Sequence, residues 1–274
     1  MLTFNELTNS NDFFVIAGPC VIESEEHVLM MAKELKEITE KLGVKLVFKA
    51  SFDKANRTSI NSYRGVGIKE GMRILNEVKK QYDLPILTDI HEPCQADIVK
   101  NVIDIIQIPA FLCRQTDMLK ACAETGRIIN IKKGQFCSHI TMKHAVEKCH
   151  HFGNKNIIVT DRGTMFGYED LIVDFRNIPL MKKECKESLV VMDCTHSLQQ
   201  PNKSDKTIGL REFIPLICKC AIVSGCHGLF MEIHDDPENA LSDSATQFNL
   251  NGFKTLLKRL IRLKEVEVEC ENIN

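Results

Sequence analysis

Eight short apolar runs in the sequence each end in a side chain that is polar or able to bind a metal. In chain order these side chains are Cys20, Lys49, Asp89, Gln107, Lys132, Arg162, His196 and Glu232. Strands of any protein must surface somewhere, so some polar residues at their ends are expected. That expectation does not account for three cations, two carboxylates, a thiol and an imidazole in one set. Such groups bind anions, transfer protons and hold metal ions, so the set predicts an active site.

Basic and hydroxyl side chains are concentrated just after the second apolar run, within residues 49–59. They are Lys49, Lys54, Asn56, Arg57, Thr58 and Ser59. Phosphate recognition needs cationic donors with hydroxyl or amide groups nearby, and arginine can bind phosphate oxygens through two hydrogen bonds. Lys132 and Arg162 add two cations whose burial without a partner would be costly. A solvated basic loop is the alternative interpretation of residues 49–59, but the pooled charge favours small substrates that carry phosphate and carboxylate groups.

Four side chains far apart in the sequence could together bind a metal ion, namely Cys20, His196, Glu232 and Asp243. A thiolate, an imidazole and two carboxylates form a mixed soft and hard set, which suits Zn²⁺ or Fe²⁺ better than Mg²⁺ or Ca²⁺. The spacing gives no support, and a cysteine after Gly-Pro is more often a packing residue. Two further groups, at 149–151 and 226–227, combine cysteine with histidine. They lie away from the carboxyl ends of the runs, so we do not expect them in the active site.

The elements that would position these residues alternate between strand and helix patterns. The strand-like runs are 13–17, 45–48, 85–87, 103–106, 128–131, 157–159, 189–192 and 228–231, with amphipathic stretches at 27–42, 68–82, 116–125, 142–152 and 211–223. Eight such units in a chain of this length predict a closed (β/α)8 barrel, the TIM barrel, as one domain over residues 1–274.

A doubly wound open sheet is the alternative fold. It would usually show a glycine-rich dinucleotide turn after a strand, and the glycines at 65, 67 and 71 lack that spacing.

Composition excludes several classes of function. The 35 basic and 37 acidic residues nearly cancel, so no nucleic-acid partner is expected. No apolar stretch reaches the roughly 20 residues that span a bilayer, and residues 1–12 lack the basic start of a secretory signal. The 12 cysteines are spread through a long chain, which favours reduced core thiols and a cytoplasmic protein. No serine-hydrolase elbow, zinc-protease motif or phosphate-binding loop occurs.

Longer strings in the sequence carry a resemblance over essentially its whole length. They are AGPCVIES at 17–24, FKASFDKANRTS at 48–59, SYRGVG at 62–67, TDIHEP at 88–93, QIPAFLCRQTD at 107–117, NIKKGQF at 130–136, DRGTMFGY at 161–168, DCTHSLQ at 193–199, GLFMEIH at 228–234 and ALSD at 240–243. With these strings the chain resembles the 3-deoxy-D-manno-octulosonate-8-phosphate synthase family. The resemblance implies a cytoplasmic enzyme of lipopolysaccharide core-sugar synthesis that condenses phosphoenolpyruvate with arabinose 5-phosphate.

The resemblance also implies roles for individual residues. Lys54, Lys132 and Arg162 match residues that bind phosphoenolpyruvate. The residues that match the arabinose 5-phosphate site are Lys49, Asn56, Arg57, Thr58 and Asp89. Arg114 resembles an arginine that reaches the phosphate of this sugar from a neighbouring subunit of a homotetramer. The resemblance and the polar residues at the strand ends together predict catalytic roles for Lys54, Asp89, Lys132 and His196. We expect further substrate contacts from Ser59 and Gln107.

The family has a metal-dependent branch with cysteine after Ala-Gly-Pro and a metal-independent branch with asparagine there. Cys20 therefore implies a divalent metal, with zinc or iron favoured and manganese as a further candidate, on the four side chains named above. Two features depart from the family pattern. Thr58 replaces the usual serine and keeps the hydroxyl, and residues 200–211 lack the usual paired glycines. Synthases that use another aldose, and a phosphosugar-binding regulator without activity, remain as alternatives.

Overall fold

Eight parallel strands close into a barrel in the computed structural model, which describes residues 2–8, 13–57, 59–166, 170–200 and 208–271. We number them β1 Phe14–Gly18, β2 Leu46–Lys49, β3 Ile86–Asp89, β4 Ile105–Ile108, β5 Ile128–Lys132, β6 Ile157–Asp161, β7 Leu189–Asp193 and β8 Gly228–His234. Each strand pairs with the next, and β8 pairs in parallel with β1, from Phe14 opposite Gly228 to Gly18 opposite Glu232. The predicted (β/α)8 barrel is confirmed, with all eight strand-like runs.

Helices connect the strands around the outside of the barrel. They are α1 Phe4–Thr8, α2 Glu25–Leu42, α3 Ile68–Tyr82, α4 Gln95–Val99, α5 Thr116–Glu124, α6 His139–His151, α7 Asn177–Glu184, α8 Ile214–Val223 and α9 Leu250–Glu271. The Ser24 side chain caps α2 by accepting from the His27 amide, and Gly43 ends it with φ of 69°. The stretch predicted as one helix at 211–223 begins as a 3₁₀ turn, Arg211–Phe213, before α8. Pro215 lies in the first turn of α8, where no amide donor is needed.

The amino end of the barrel is closed by apolar side chains and by α1. The interior cluster at this end comprises Leu7, Phe14, Ile16, Val47, Leu87, Ile105, Ile128, Ile158, Leu189, Val191 and Phe230. Leu2 and Phe4 pack against it from the N-terminal segment, and the Leu2 amide donates to Asp104 Oδ1 at 3.0 Å. A second and larger apolar cluster fills the layer between the strands and the surrounding helices. The buried charged side chains Lys49, Lys132 and Asp193 lie at the opposite, carboxyl end of the barrel.

Short elements decorate the carboxyl end. Thr164–Met165 pairs antiparallel with Leu171–Ile172, and Gln199–Gln200 pairs antiparallel with Ile208–Gly209. The second ribbon flanks the loop at 200–211, of which residues 201–207 lie outside the described residues. Phe248–Asn249 extends the sheet beside β8. Within the residues that the structure describes, no helix has both the length and the apolar character to cross a membrane.

Candidate active site

The polar side chains predicted from the strand ends lie together at the carboxyl end of the barrel. Lys49, Asp89 and Lys132 are the last residues of β2, β3 and β5, and all three are buried. Gln107 lies inside β4, and Arg162 directly follows β6. The other three are Glu232 within β8, Cys20 just after β1 and His196 just after β7. The barrel thus brings the eight side chains to one rim, where enzymes of this fold have their active sites.

A close approach of the backbone shapes the start of this rim. Gly18 ends β1 beside the end of β2, and a Cβ atom at position 18 would collide with the carbonyl oxygen of Lys49. Only glycine allows the two strands to be this close. The Lys49 ammonium donates back to the Cys20 carbonyl at 2.8 Å, which fixes the turn after β1.

Glu232 is the central carboxylate of the site and is fully buried. Its Oε1 accepts from Lys49 Nζ at 2.5 Å and lies 3.7 Å from Lys54 Nζ. Its Oε2 has no hydrogen-bond partner among the described residues and lies 3.4 Å from His196 Nε2. Burial alone would raise the pKa of Glu232, but His196 and the two lysines lower it below its ordinary value. A buried, ionised carboxylate with one free oxygen is suited to bind a cation.

Three of the predicted metal ligands form a cluster around this carboxylate. One ligand atom each from Cys20, Glu232 and Asp243 lies within 4.8 Å of the others. The fourth, His196, places its Nε2 3.5 Å from Asp243 Oδ2. Burial, with help from Asp243 and Glu232, raises the pKa of the Cys20 thiol well above its ordinary value, and the thiol contacts Ser242 Oγ at 3.0 Å. Because a bound metal favours the thiolate, this donor set fits Zn²⁺ or Fe²⁺.

Asp193 is a functional candidate that the sequence reasoning missed. It ends β7, is fully buried, and accepts from Lys132 Nζ and, at 2.8 Å, from His196 Nδ1. Burial alone would raise the pKa of Asp193, but His196 and Lys132 hold it well below its ordinary value. Burial also lowers the pKa of Lys132, and Asp193 opposes that effect. The available signal was an aspartate at a strand end, three residues before a predicted ligand.

Arg162 has a buried donor group that meets no acceptor within the described part of the chain. Its Nη2 donates to Gln199 Oε1 at 2.6 Å, whereas its Nη1 is buried with no hydrogen-bond partner among the described residues. Gln199 in turn donates to Asp243 Oδ2 at 3.1 Å. Burial lowers the pKa of Arg162, with the surrounding carboxylates acting in the opposite direction. A guanidinium that keeps one free donor inside the site is suited to an anionic ligand.

Asp89 and Gln107 lie on the adjacent wall of the site. Asp89 accepts from Ser51 Oγ, and its Oδ2 lies 3.7 Å from His91 Nε2. Burial raises the pKa of Asp89, but Lys54, His91 and Lys49 outweigh it and lower the pKa to about 2. Gln107 Oε1 accepts from Asn130 Nδ2 at 2.9 Å. At neutral pH Asp89 is therefore an ionised hydrogen-bond acceptor.

Only part of the loop after β2, predicted to bind phosphate, contacts residues of the site. Arg57 Nη1 lies 3.4 Å from Asp243 Oδ1, and its Nη2 donates to the Leu241 carbonyl at 3.1 Å. Asn56 is exposed and Ser59 is half-buried. Thr58 lies outside the described residues. Arg114, just before α5, is exposed, and its predicted contact with the sugar phosphate of a neighbouring subunit stays a prediction.

The two discounted cysteine and histidine groups lie away from the site. Residues 149–151 end α6, and 226–227 precede β8 at the amino end of the barrel. His227 Nδ1 accepts from the Val190 amide at 2.8 Å, and burial together with Lys182 lowers the pKa of His227 to about 4. His196 differs: Asp193 and Glu232 outweigh burial and raise its pKa. The histidine outside the site serves packing, whereas the one inside it is held among carboxylates.

Comparison with known proteins assigns this arrangement to a family. A sequence profile of the DAHP synthetase I family matches residues 6–268. The chain is 55% identical over 272 residues to 2-dehydro-3-deoxyphosphooctonate aldolase 2 of Arabidopsis thaliana, covering 97% of this chain and 92% of the relative. It is 44% identical over 272 residues to 2-dehydro-3-deoxyphosphooctonate aldolase of Rickettsia prowazekii, covering 98% of each. Both matches span nearly the whole chain, and the chain belongs to the DAHP synthetase I family.

Proposed function

We propose that this chain condenses phosphoenolpyruvate with D-arabinose 5-phosphate and water to give 3-deoxy-D-manno-octulosonate 8-phosphate and phosphate. Relatives that are 44–55% identical over nearly its full length bear the name 2-dehydro-3-deoxyphosphooctonate aldolase. The chain is accordingly a transferase that forms a carbon–carbon bond. The observation that carries the proposal is the buried rim of cations and carboxylates, in which an Arg162 donor and a Glu232 acceptor have no partner among the described residues.

Phosphoenolpyruvate is bound at the side of the site formed by β5 and β6. Lys132 and Arg162 are both 5% exposed, so an anion placed between them loses little of its attraction to solvent screening. Lys54, whose side chain is 12% exposed, closes this side from the loop after β2. C3 attacks the aldehyde carbon, whose oxygen takes a proton, while water adds to C2 and gives up a proton; phosphate then leaves C2 by cleavage of its C–O bond, and C2 becomes the ketone carbon. The three cations stabilise the negative charge that the departing phosphate carries.

Arabinose 5-phosphate is bound on the side formed by β2, β3 and β4. Asp89 is ionised and faces the site, so it accepts from a sugar hydroxyl, and Gln107 lies beside it. Lys49, which matches a residue of the sugar site in the family, ends β2 on this side. The loop residues Asn56, Arg57, Thr58 and Ser59 bind its terminal phosphate. This division places the aldehyde carbon next to C3 of phosphoenolpyruvate, where the new bond forms.

A divalent metal completes the site on Cys20, His196, Glu232 and Asp243. The unpartnered Oε2 of Glu232 and the mixed donor set support this assignment, with Zn²⁺ or Fe²⁺ favoured and Mn²⁺ a third candidate. The bound metal supplies Lewis acidity that polarises or orients the aldehyde of the sugar. Asp193 fixes the ring orientation of His196 through the 2.8 Å bond at Nδ1.

The proposal extends to assembly and location. Arg114 lies exposed at the catalytic end of the barrel, so a neighbouring subunit of a homotetramer would bring it to the sugar phosphate. The exposed apolar side chains Phe111, Phe136 and Phe166 surround the same end and support its burial between subunits. The eleven cysteines whose side chains are described are free thiols, which supports a reducing compartment such as the cytoplasm.

Phosphate release measured with and without a chelator tests the proposal. We expect release only when both substrates are present, loss of activity on chelation, and recovery with Zn²⁺, Fe²⁺ or Mn²⁺. Cys20→Asn removes the thiolate, so its remaining activity should not respond to chelators. If the native chain is fully active without metal, the four-ligand set is wrong. If phosphoenolpyruvate and arabinose 5-phosphate together release no phosphate, the proposed reaction is wrong, and a binding protein without turnover becomes the better explanation.

A further inference from the structure

A second group of metal-binding side chains lies beside the proposed catalytic set. It comprises Glu23, His27 and His234, and one ligand atom of each lies within 4.8 Å of the others. Glu23 is in the turn after β1, His27 is in the first turn of α2, and His234 ends β8. None of the three has a role in the reaction proposed above. Three separate elements therefore converge on a group whose chemistry the reaction does not use.

The Asp235 carboxylate lies beside one ring nitrogen of each of the two histidines in this group. Its Oδ1 lies 3.0 Å from His27 Nε2 and 3.1 Å from His234 Nδ1. The opposite nitrogens, His27 Nδ1 and His234 Nε2, are buried and have no hydrogen-bond partner within the described part of the chain. His27 has the arrangement common among metal-binding histidines, with one nitrogen donating to a carboxylate and the other free for the ion.

Glu23 adds a carboxylate to the two imidazoles. Its Oε1 lies 3.3 Å from His234 Nε2, and the His234 residue is only 5% exposed. Burial raises the pKa of Glu23, but His234 and the Leu241 amide outweigh it and keep the carboxyl ionised at neutral pH. Two imidazoles and a carboxylate form a set typical of zinc. In the ring as it stands, His234 Nδ1 accepts from the Asp236 amide at 3.0 Å and Nε2 carries the proton beside Glu23, so a metal at Nε2 requires that proton to move to Nδ1, which lies 3.1 Å from Asp235 Oδ1.

We infer that Glu23, His27 and His234 form a second metal site, suited to Zn²⁺, with Asp235 orienting the two imidazoles. The same Glu23 Oε1 accepts from the backbone amide of Leu241 at 2.9 Å. Leu241 precedes Asp243 by two residues. A metal at this site links the turn after β1, the start of α2 and the end of β8. It therefore restrains the segment that carries Asp243 and stabilises the fold without contacting the substrates.

Metal content of purified variants tests this inference. The full chain is stripped with a chelator, dialysed against ZnCl₂ or CoCl₂, and analysed for metal per chain. His27→Leu keeps an apolar contact to the His234 ring and should lose about one equivalent relative to the native chain, because two imidazole ligands become one. His144→Leu is the matched control, since His144 forms a similar pair with Glu147 on exposed α6 at 3.0 Å. The control should bind as much metal as the native chain.

Cobalt spectra separate this site from the catalytic one. A thiolate-to-cobalt charge-transfer band reports a metal bound to a cysteine such as Cys20 and cannot come from the second site, which contains no sulfur. His27→Leu should keep this band at native intensity while it loses its equivalent of metal. Zn²⁺ should raise the Tm of the native chain more than that of His27→Leu, because a ligand stabilises only the form that binds it.

Equal metal content in the native chain and His27→Leu would overturn the second site. So would an equal loss in His144→Leu, which would identify adventitious binding to surface histidines. If the charge-transfer band is absent but the His27-dependent equivalent remains, the second site stands and the proposed catalytic metal falls.

Discussion

The two ends of the barrel interior are built from the same strands with opposite chemistry. Toward the amino end the interior side chains are apolar, and α1 covers them. Toward the carboxyl end the same strands contribute buried charges, such as Lys132 and Asp193, that pair across the site. On β7 the change occurs between Val191 and Asp193, two residues apart on the same face. A single strand therefore serves the core at one end and the active site at the other.

The two ends of the barrel therefore contribute differently to the stability and to the activity of the protein. Burial of apolar side chains at the amino end favours folding in proportion to the area removed from water. Buried ion pairs are weaker stabilisers, because the cost of removing both charges from water offsets their attraction. Removing one member of such a pair, however, leaves the other charge buried and unpaired, which destabilises the fold. Substitutions at the carboxyl end should therefore change activity and also lower stability, whereas those at the amino end should change stability alone.

Glu232→Gln should have the largest effect on activity. It removes the charge that pairs with Lys49 at 2.5 Å and weakens the proposed metal set while the shape is kept. We expect kcat to fall on the order of 1,000-fold, together with bound metal. Glu238→Gln is the control, because that side chain is 78% exposed and pairs only with Arg211 among the described residues. Phosphate release and metal analysis measure both, and native turnover in Glu232→Gln would remove this residue from the mechanism.

Arg57→Ala and Arg162→Ala should divide the carboxyl end into two pockets. Each loses a charge-assisted contact to one substrate, so KM for that substrate should rise by about 10- to 100-fold. Arg57→Ala should affect arabinose 5-phosphate, and Arg162→Ala should affect phosphoenolpyruvate. Initial rates with each substrate varied in turn give the values. The same rise for both substrates in both variants would contradict two separate pockets.

Asp193→Asn should reduce activity by about 10- to 100-fold, the usual cost of altering a residue behind a metal ligand, which is the role proposed for His196. The amide keeps the size of the side chain but no longer balances the charge of Lys132 or orients His196 as firmly. A fall in kcat with an unchanged far-ultraviolet circular dichroism spectrum supports this positioning role. Asp97→Asn, at an 82% exposed side chain, serves as the control. Equal kinetics in both variants would leave Asp193 with a structural role only.

Ile158→Ala should change activity least, although Ile158 lies on the strand that leads to Arg162. It belongs to the apolar cluster at the amino end and is fully buried. We expect the free energy of unfolding to fall by about 2–5 kcal/mol in urea denaturation. Its kcat should stay within about twofold of native, because sites that share no partners act independently. A large loss of kcat in the folded variant would show that the two ends are coupled.

The strands and the rim could be predicted because each follows from local sequence. An apolar run predicts a buried strand, and the barrel then places all eight carboxyl ends together. The partner of a buried charge could not be predicted in this way. Lys132 and Asp193 are 61 residues apart, on strands that lie on either side of β6, and only closure of the barrel brings the two side chains into contact.

Some elements escaped prediction for different physical reasons. Helices α1 and α4 contain five residues each, too few for a helical pattern to be distinct in the sequence. The Glu23, His27 and His234 group combines three elements, and the free ring nitrogens that distinguish it depend on where Asp235 lies. Such a group has no signature along the chain.

The preference between two aldoses tests the central claim most directly. Arabinose 5-phosphate and erythrose 4-phosphate are compared as partners of phosphoenolpyruvate, with phosphate release as the readout. We predict a kcat/KM for arabinose 5-phosphate at least about 100-fold higher, because hydrogen-bonding groups left without partners discriminate on that scale. Asp89 and Gln107 would be such groups when the shorter sugar is bound. Equal kcat/KM values for the two aldoses would contradict the assignment of this chain as the octulosonate-forming enzyme.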